Sequence, residues 1–403
     1  MPGWADDFGA FDGNVWLNAA HQGALPKLAA SAAAEAVAWK RQPWQLTTER
    51  FSGVPQRVRT GIGRLIGARA EDVILANSAS YGLHLIANGI PWQPGDEVLT
   101  MRGDFPSDIL PWLGLADRGV TVTQLRPSGR VLSAAEIDRA IGPRTRLLCL
   151  TWVHSLSGFA IDLEGVGRLC RERGVIFVVN GSQAVGVRSL SVADAPIDAL
   201  VSVGFKWLCG PYGTGFCWIR PDLRETLRCP KTYWLSMLTS DDLAKDDLDL
   251  ILREDAGARR WDIFGTANFF NFHAWGVCLD YLDHVGLAAI AAHDSALVDR
   301  FVAGLDRTHY QLLSPEEGPA RSTLTFFAPN DRRQTAACHQ ALRTAGVHVA
   351  MRAGALRLAP HLYNTDEDID RALDCLAQAS SKSPSTSTAA PRGSDDAPTA
   401  QRA

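Results

Sequence analysis

Lys206 stands between two large aromatic residues, Phe205 and Trp207, in the stretch VGFKWLCGPYGTGF. An apolar run at residues 198–203 precedes it and a glycine-rich turn follows it. A lysine in apolar surroundings loses hydration, so its pKa falls and its neutral amine becomes a nucleophile able to form a Schiff base. The alternative is a lysine whose amine extends to solvent, as lysines that follow a strand usually do.

Further polar side chains follow three other apolar runs. They are Asn77, Ser78 and Ser80 after VILA, His154, Ser155 and Ser157 after LLCLTWV, and Asn180, Ser182 and Gln183 after VIFVV. Each alone is typical of a loop or a helix cap. Ligands of open α/β sheets bind beyond the carboxyl ends of the strands, so together with Lys206 they predict one shared site. Ser78 and Ser80 open a helix, where capping and anion binding use the same geometry.

The elements that would position these residues alternate along the chain. Residues 72–76, 96–101, 120–125, 146–153, 175–179 and 198–203 are β-rich runs. A helix precedes the fifth run: Asp162 fits its N-cap, an apolar stripe follows, and Gly174 ends it. Apolar strands alternating with helices predict an α/β fold with a mainly parallel sheet covered on both faces.

The two ends of the chain differ from this pattern. An alanine-rich segment after Pro26 predicts a helix that Pro43 terminates. From about residue 270, long helical stretches precede short strands such as STLTFFA and ALRLAP, which indicates a smaller α+β C-terminal domain. Residues 380–403 are rich in Ser, Thr, Ala and Pro, and this composition predicts a disordered tail.

Composition excludes several classes of function. The 403 residues are 46% hydrophobic and 21% charged, with a net charge of −4, which gives no electrostatic basis for binding nucleic acid or an anionic membrane. The sequence has no apolar run long enough for a membrane span and no signal-peptide pattern, so we expect a cytoplasmic protein. The eight cysteines form no C-x-x-C pair, so we expect reduced thiols and no metal site.

Seven segments in order, from residue 15 to about 375, resemble pyridoxal-phosphate (PLP) enzymes of aminotransferase class V. These are VWLNAAHQGALP, NSASYGL, DFPSDILPW, WVHSLSGF, FVVNGSQAVG with GFKWLCGPYGTGFCWIRPDL, FGTANF, and LRLAPHLYNTDEDID. The resemblance implies the fold-type-I architecture: a large domain with a mainly parallel seven-stranded sheet between helices, plus a smaller α+β C-terminal domain. The implied units are an N-terminal segment packing on the small domain and active site (1–27), the PLP-binding domain (28–268), the small domain (269–379) and the tail.

The resemblance also implies roles for individual residues. The cofactor-binding set is Ser78, Ala79, Ser80, Phe105, Ser155, Asn180, Ser182, Gln183, Lys206 and Thr266, and the substrate-binding set is Asn18, His21, His154 and Arg357. Lys206 would form the Schiff base and then act as general acid and base, while Phe105 would stack on the ring and Gln183 would donate to its phenolic oxygen. Thr266 of a partner subunit would join Ser80 at the phosphate, which implies a homodimer with shared active sites. Arg357 would pair with a substrate carboxylate.

Three positions depart from the family pattern. Asn180 stands where the family has an aspartate that keeps the pyridine nitrogen protonated, so the electron sink should be weaker. Val203 and Phe205 replace small polar and histidine residues before the lysine, so phosphate contacts from that side are expected to be lost. Ser202 and Ser182 are the candidates to compensate for them.

These features predict a PLP-dependent enzyme that acts on an α-amino acid or derivative through an external aldimine, of aminotransferase or epimerase type. A β-lyase, kynureninase-like or C–S cleaving, and a PLP-dependent oxidase are alternatives, and so is a catalytically degenerate binding protein. The stretch AGVHVAMRAGALRL lacks the nucleophilic cysteine of cysteine desulfurases, and Cys338 lies too far upstream to replace it. His154 is either part of the substrate pocket or a histidine satisfied within the fold.

Overall fold

The computed structural model describes residues 3–228, 233–238, 240–248, 250–253, 257–266 and 268–381. The helices within them are α1 Lys27–Arg41, α2 Thr48–Ile66, α3 Ala79–Gly89, α4 Leu110–Leu113, α5 Ala134–Ala140, α6 Leu163–Arg173, α7 Pro221–Thr226, α8 Trp234–Met237, α9 Ser240–Leu243, α10 Phe269–Val285, α11 Leu287–Gly304, α12 Thr335–Thr344 and α13 Asp366–Ser381. The strands are β1 Val15–Trp16, β2 Val73–Ala76, β3 Glu97–Met101, β4 Thr121–Leu125, β5 Thr145–Thr151, β6 Ile176–Asn180, β7 Ala199–Val203, β8 Gly215–Ile219, β9 Tyr310–Leu312, β10 Thr325–Pro329, β11 Val347–His348, β12 Ala350–Arg352 and β13 Ala355–Leu358.

A seven-stranded sheet forms the centre of the large domain, with strand order β2-β8-β7-β6-β5-β3-β4. Strands β3 to β7 run parallel, and β8 is antiparallel to both of its neighbours, β2 and β7. The six predicted runs are all strands, and the predicted α/β fold is confirmed. Strand β8 was not predicted. Strands β2, β7 and β8 are buried along their whole length, which explains their unbroken apolar sequences.

Local signals define the helices as predicted. The Asp162 carboxylate accepts a hydrogen bond from the Gly165 N–H at 2.9 Å and caps α6, and Gly174 ends that helix with φ of 67°. Helix α1 begins after Pro26 and ends before Pro43. The long helical stretch after residue 268 is two helices, because Gly286 takes φ of 85° between α10 and α11.

The C-terminal part is α+β, with a four-stranded antiparallel sheet of order β12-β13-β10-β9. The N-terminal segment joins this part, because β1 pairs in parallel with β11. Helix α10 packs on α1 and α2, on the side of the large domain. The predicted domain boundaries remain predictions. Helix α13 continues through Ser381, past the predicted start of the tail, and the rest of the tail lies outside the described residues.

No helix in the described ranges is both long enough and apolar enough to cross a membrane.

Candidate active site

A cavity of about 520 Å³ opens at the carboxyl ends of the parallel strands. Its described lining residues are Ala20, His21, Gln22, Asn77, Ser78, Ala79, Ser80, Phe105, Ser107, Thr151, Ser155, Leu156, Asn180, Ser182, Gln183, Val203, Phe205, Lys206, Tyr212, Gly213, Arg352 and Arg357. Strands β2, β5, β6 and β7 each end at this cavity, so the sheet brings together residues that are far apart in sequence. The N-terminal segment and the β12–β13 hairpin close its other side.

Eleven of the predicted site residues line this cavity. They are His21, Ser78, Ala79, Ser80, Phe105, Ser155, Asn180, Ser182, Gln183, Lys206 and Arg357. Asn18, His154 and Thr266 are buried and do not line it. The expectation that polar residues at strand ends converge on one site therefore agrees with the geometry, whereas the role of each residue remains a prediction.

Lys206 is half-buried, and its exposed surface faces the cavity. Burial, reinforced by the positive charge of Arg357, lowers the pKa of its amine to about 8, although Asp108 opposes this shift. Its Nζ lies 5.7 Å from the centre of the Phe105 ring. An amine with this pKa has a far larger neutral fraction near physiological pH than an ordinary lysine, so it can attack a carbonyl carbon and exchange protons.

The backbone around Lys206 is fixed by a close approach of the N-terminal segment. The Gly23 N–H donates to the Phe205 carbonyl at 2.9 Å, and a Cβ on Gly23 would lie 2.0 Å from the Lys206 carbonyl oxygen. Only glycine fits at this position. Cys209, three residues after the lysine, has a left-handed φ of 51°, which tightens the turn.

A buried histidine holds the same turn from the C-terminal side. The His361 ring contacts the Asp294 carboxylate through Nδ1 at 2.7 Å and donates to the Trp207 carbonyl through Nε2 at 3.0 Å. Burial opposes protonation, but Asp294 and Cys209 outweigh it and raise the pKa of His361 well above its usual value. Both ring nitrogens then act as donors, as an imidazolium requires.

We expect His361→Gln to lower the free energy of unfolding by about 3 kcal/mol, because the change removes the charged partner of the buried Asp294 carboxylate, which keeps only its contact with His293. Since the folded-state pKa is raised, this stabilisation is complete below about pH 6.5 and is lost as the pH rises through the folded-state value. Urea unfolding across a pH series measures the effect, with the exposed His309→Gln as the control. Equal losses at acid and alkaline pH would contradict a charged His361.

The N-terminus of α3 forms one wall of the cavity. Ser78 caps this helix, and its Oγ accepts from the Tyr81 N–H at 3.3 Å. The first N–H groups of the helix, at Ala79 and Ser80, have no intrahelical acceptor and carry the positive end of the helix dipole. The buried Ser182 Oγ also lines the cavity and has no hydrogen-bond partner, while Ser202 Oγ bonds to the backbone of Val203. These groups fit an anion such as a phosphate.

Arg357 brings an unpaired cation to the opposite wall. It is 4% exposed, and its guanidinium makes long bonds to the Ser155 carbonyl, at 3.4 Å, and to Asn18 Oδ1, at 3.3 Å. Its Nε is buried without a partner. Burial and then the charge of Arg352 lower the pKa of Arg357 to about 10. A planar carboxylate would satisfy this fork.

Behind Asn180 lies a buried pair of carboxylates that the sequence analysis did not identify. The Asn180 Nδ2 donates to both oxygens of Asp108, at 2.8 and 3.1 Å, and its Oδ1 accepts from the Ser182 N–H at 3.0 Å. Thr151 joins Asp108 to Asp104: its hydroxyl bonds to both carboxylates, and its N–H donates to Asp104 at 3.0 Å. Burial, and then the negative charge of Asp104, raise the pKa of Asp108 well above its usual value.

Three other predicted residues already have partners within the fold. The His154 ring contacts Ser157 Oγ at 2.8 Å and the Gly103 carbonyl at 3.0 Å, which favours the histidine satisfied within the fold. Gln183 donates to the Ala20 carbonyl and accepts from the Trp207 indole, which leaves it one N–H. Thr266 is buried within its own chain, so a phosphate contact in a partner subunit remains a prediction.

Four residues at or behind the cavity were not predicted from the sequence: Thr151, Asp108, Arg352 and Tyr212. Thr151 lies inside the predicted run 146–153 and is the last residue of β5, which ends two residues before that run does. Asp108 lies in the segment DFPSDILPW, but its contact with Asn180 joins positions that are 72 residues apart. Tyr212 lies in the glycine-rich turn after Lys206, and Arg352 lies on β12, where the alternation of side chains along β12 and β13 places it on the same face as Arg357.

A comparison with protein-family models identifies the family of this chain. Residues 40–372 match the model of the family Aminotransferase class-V. The chain belongs to this family. Class-V aminotransferase-family proteins are PLP-dependent, and the cofactor predicted from the motifs is confirmed at this level.

Relatives of different activity support the same family. A probable cysteine desulfurase of Methanothermobacter thermautotrophicus is 26% identical over 78% of this chain and 80% of its own length. The isopenicillin N epimerase of Streptomyces clavuligerus is 26% identical over 83% of this chain and 87% of its own. Relatives named as enzymes indicate that this class-V protein is an enzyme. They do not agree on one reaction.

Solved structures confirm the fold. A lysine-to-alanine mutant of C-DES, with glycine covalently linked to its PLP cofactor, has a TM-score of 0.83 at 19% identity, covering 92% of this chain and 98% of that one. An apo cysteine desulfurase from Thermococcus onnurineus has a TM-score of 0.80, also at 19% identity, covering 93% and 97%. At this identity the likeness concerns the fold.

Proposed function

We propose that this class-V enzyme acts on an α-amino acid and that its chemistry begins with the bonds at Cα, as in aminotransferases and epimerases. The observation that carries the proposal is the pairing of Lys206 and Arg357 in one cavity. The amine has a pKa lowered to about 8, and the buried guanidinium has no carboxylate partner among the described residues. An α-amino acid supplies a carboxylate for Arg357 and, next to it, a Cα whose proton Lys206 can hold or move.

The lining residues also fit the cofactor. The Ala79 and Ser80 N–H groups, together with the unpartnered Ser182 Oγ, would hold the phosphate. Phe105 would cover one ring face, and Asn180 would meet the ring nitrogen. PLP, when bound, supplies an electron sink for the bonds at the substrate Cα.

The residues of the chain then have separate tasks. Arg357 binds the α-carboxylate and thereby orients Cα, and Lys206 holds or moves the proton at Cα. Val203 and Phe205 present apolar surface beside the lysine and exclude water, which keeps the amine pKa low. Phe105 and Tyr212 line the cavity and remain 44% and 72% exposed in the single chain, which supports our proposal of a homodimer that covers this face.

Persulfide transfer is disfavoured for this enzyme. Cysteine is absent from the described lining of the cavity, and residues 345–358 contain none. Cys338 is buried in a separate core with its Sγ 3.5 Å from the Tyr310 hydroxyl. Burial raises the pKa of this thiol, which lowers its nucleophilicity.

Incubation of the PLP-loaded enzyme with an amino-acid panel in D₂O tests the proposal. Exchange of the α-proton seen by NMR, with racemisation or keto-acid formation, is the expected result. Release of the side chain with pyruvate and ammonia would instead indicate a β-lyase. A PLP-loaded enzyme that exchanges no α-proton and consumes no amino acid would contradict the proposal.

We expect Arg357→Lys to weaken the binding of α-amino acids by roughly 10- to 100-fold, because an ammonium cannot make the paired hydrogen bonds of a guanidinium. Primary amines without a carboxylate should bind both proteins equally well. Titrations followed by the visible absorption of the bound cofactor measure both affinities. Equal weakening for amines and amino acids would place Arg357 elsewhere than at the carboxylate.

A further inference from the structure

A second arginine shares the cavity with Arg357. Strands β12 and β13 form a hairpin in which Ala350 lies opposite Arg357 and Arg352 lies opposite Ala355. Residues directly opposite each other share a face, and side chains alternate along a strand, so both arginines project from the same face. They are diagonal neighbours, which lie roughly 7–8 Å apart with somewhat shorter separations between their Cβ atoms. The hairpin thus presents two guanidinium groups to one cavity.

The turn of this hairpin fixes the position of Arg352. Ala353 and Gly354 both have positive φ, 49° and 69°, which is the two-residue turn that matches the twist of the flanking strands. Arg352 donates from Nη1 to the Met351 carbonyl at 3.0 Å. Its remaining N–H groups are available for a ligand.

The positive charge at this side of the cavity favours a ligand with more than one negative charge. His21, Lys206, Arg352 and Arg357 line it, and the described lining contains no carboxylate. Burial, and then Arg352, Arg357 and Lys206, lower the pKa of His21, so this ring is a neutral donor near pH 7. Neither arginine is within salt-bridge distance of a carboxylate in the described part of the chain. The two neighbouring positive charges repel each other, and anions bound beside them offset that repulsion.

We propose that Arg352 binds a second carboxylate, carried by the substrate side chain, so that the substrate class is the amino dicarboxylic acids. The proposal rests on the proposed function, since Arg357 must hold the α-carboxylate. The observation that carries the second carboxylate is the second guanidinium on the same face of the hairpin, in a described lining that holds no acidic side chain. Arg352, which is exposed at the edge of the cavity, then binds the side-chain carboxylate of the substrate.

The test compares acidic amino acids with their amides on the PLP-loaded enzyme. Dissociation constants for aspartate, asparagine, glutamate, glutamine and alanine are measured by calorimetric titration for the parent protein and for Arg352→Gln. The control is Arg332→Gln, which removes an exposed arginine close to the hairpin turn but outside the cavity. We expect the parent to bind at least one acidic amino acid about 10-fold more tightly than its amide.

The Arg352→Gln protein should lose this preference and keep its affinity for alanine and the amides, while the control keeps both. Equal weakening of all five amino acids would show that Arg352 helps to hold the α-carboxylate, and would overturn the proposal. A parent without preference for acids would overturn it as well. A parent that binds none of the amino acids would instead refute the proposed function.

Discussion

Replacing Lys206 by alanine is expected to abolish covalent retention of PLP and to lower turnover by roughly 10²- to 10⁴-fold or more, because the amine is both the point of attachment and the proton carrier. Visible absorption after desalting, and mass spectrometry after borohydride reduction, measure the attachment. Lys40→Ala removes an exposed lysine and should change neither. If parent and Lys206→Ala retain the cofactor alike, Lys206 is not the attachment residue.

The lowered pKa of Lys206 gives the same prediction a pH dependence. Only the neutral amine attacks a carbonyl, so the rate at which PLP attaches to the apoprotein should rise with pH and level off above about pH 8. A lysine of ordinary pKa would give a rate still rising near pH 10.

Stability provides a readout that does not depend on catalysis. A depressed lysine pKa means that folding disfavours the bound proton, so the cost is greatest below the folded-state value and vanishes as the pH rises above the unfolded one. The shift from 10.5 to about 8 corresponds to at most about 3 kcal/mol near pH 7. Lys206→Met should therefore stabilise the apoprotein at pH 7 and not at pH 11, as measured by urea unfolding. This variant also shows that loss of PLP is not caused by unfolding.

The sequence predicted the central sheet because its strands are buried on both faces and therefore appear as apolar runs. Strand β8 was missed since its residues, GFCWI, follow the glycine-rich turn without a break and were interpreted as part of the lysine motif. Its antiparallel place between β2 and β7 depends on long-range pairing, which a local pattern does not encode.

The site was predictable where a residue type and its position at a strand end both carry information. Lys206, which follows β7, is of this kind, whereas Arg357 lies within β13 and was predicted only from the family resemblance. The residues that support the site from behind were not predictable, because they come from distant segments. His361 bonds to Trp207 across 154 positions, and Asp108 bonds to Asn180 across 72. Ser78 shows a further limit, since its sequence position suited both a cap and an anion ligand, and the structure makes it the cap.

The contact between Asp108 and Asn180 makes the stability of the protein sensitive to a change at position 180. In the family pattern the carboxylate stands at position 180, whereas here an amide stands there and the carboxylate lies directly behind it. Asn180 cannot carry the charge, but Asp108 fixes the amide through two hydrogen bonds. We therefore expect Asn180→Asp alone to lower the free energy of unfolding of the apoprotein by about 3 kcal/mol at pH 8, because it adds a third carboxylate to a buried pair.

The exchange of both residues, Asn180→Asp with Asp108→Asn, should recover most of this loss, since it restores one amide against one carboxylate. A coupling energy of about 1–3 kcal/mol in the double-mutant cycle is the expected result, measured by urea unfolding. The loss in Asn180→Asp should shrink toward pH 5, because a carboxyl whose folded-state pKa is raised destabilises only as the pH rises past its unfolded value. Additive single changes would show that the two residues act separately.

The protein with both exchanges also shows whether the amide at position 180 slows removal of the substrate α-proton. A carboxylate at position 180 stabilises a protonated ring nitrogen more strongly than an amide does, and so strengthens the electron sink. The exchanged protein should bind PLP as the parent does but exchange the substrate α-proton faster, with the visible band of the bound cofactor less sensitive to pH. If exchange is unchanged while stability is recovered, then Asp108 supports Asn180 mechanically and the ring nitrogen does not respond to the charge behind it.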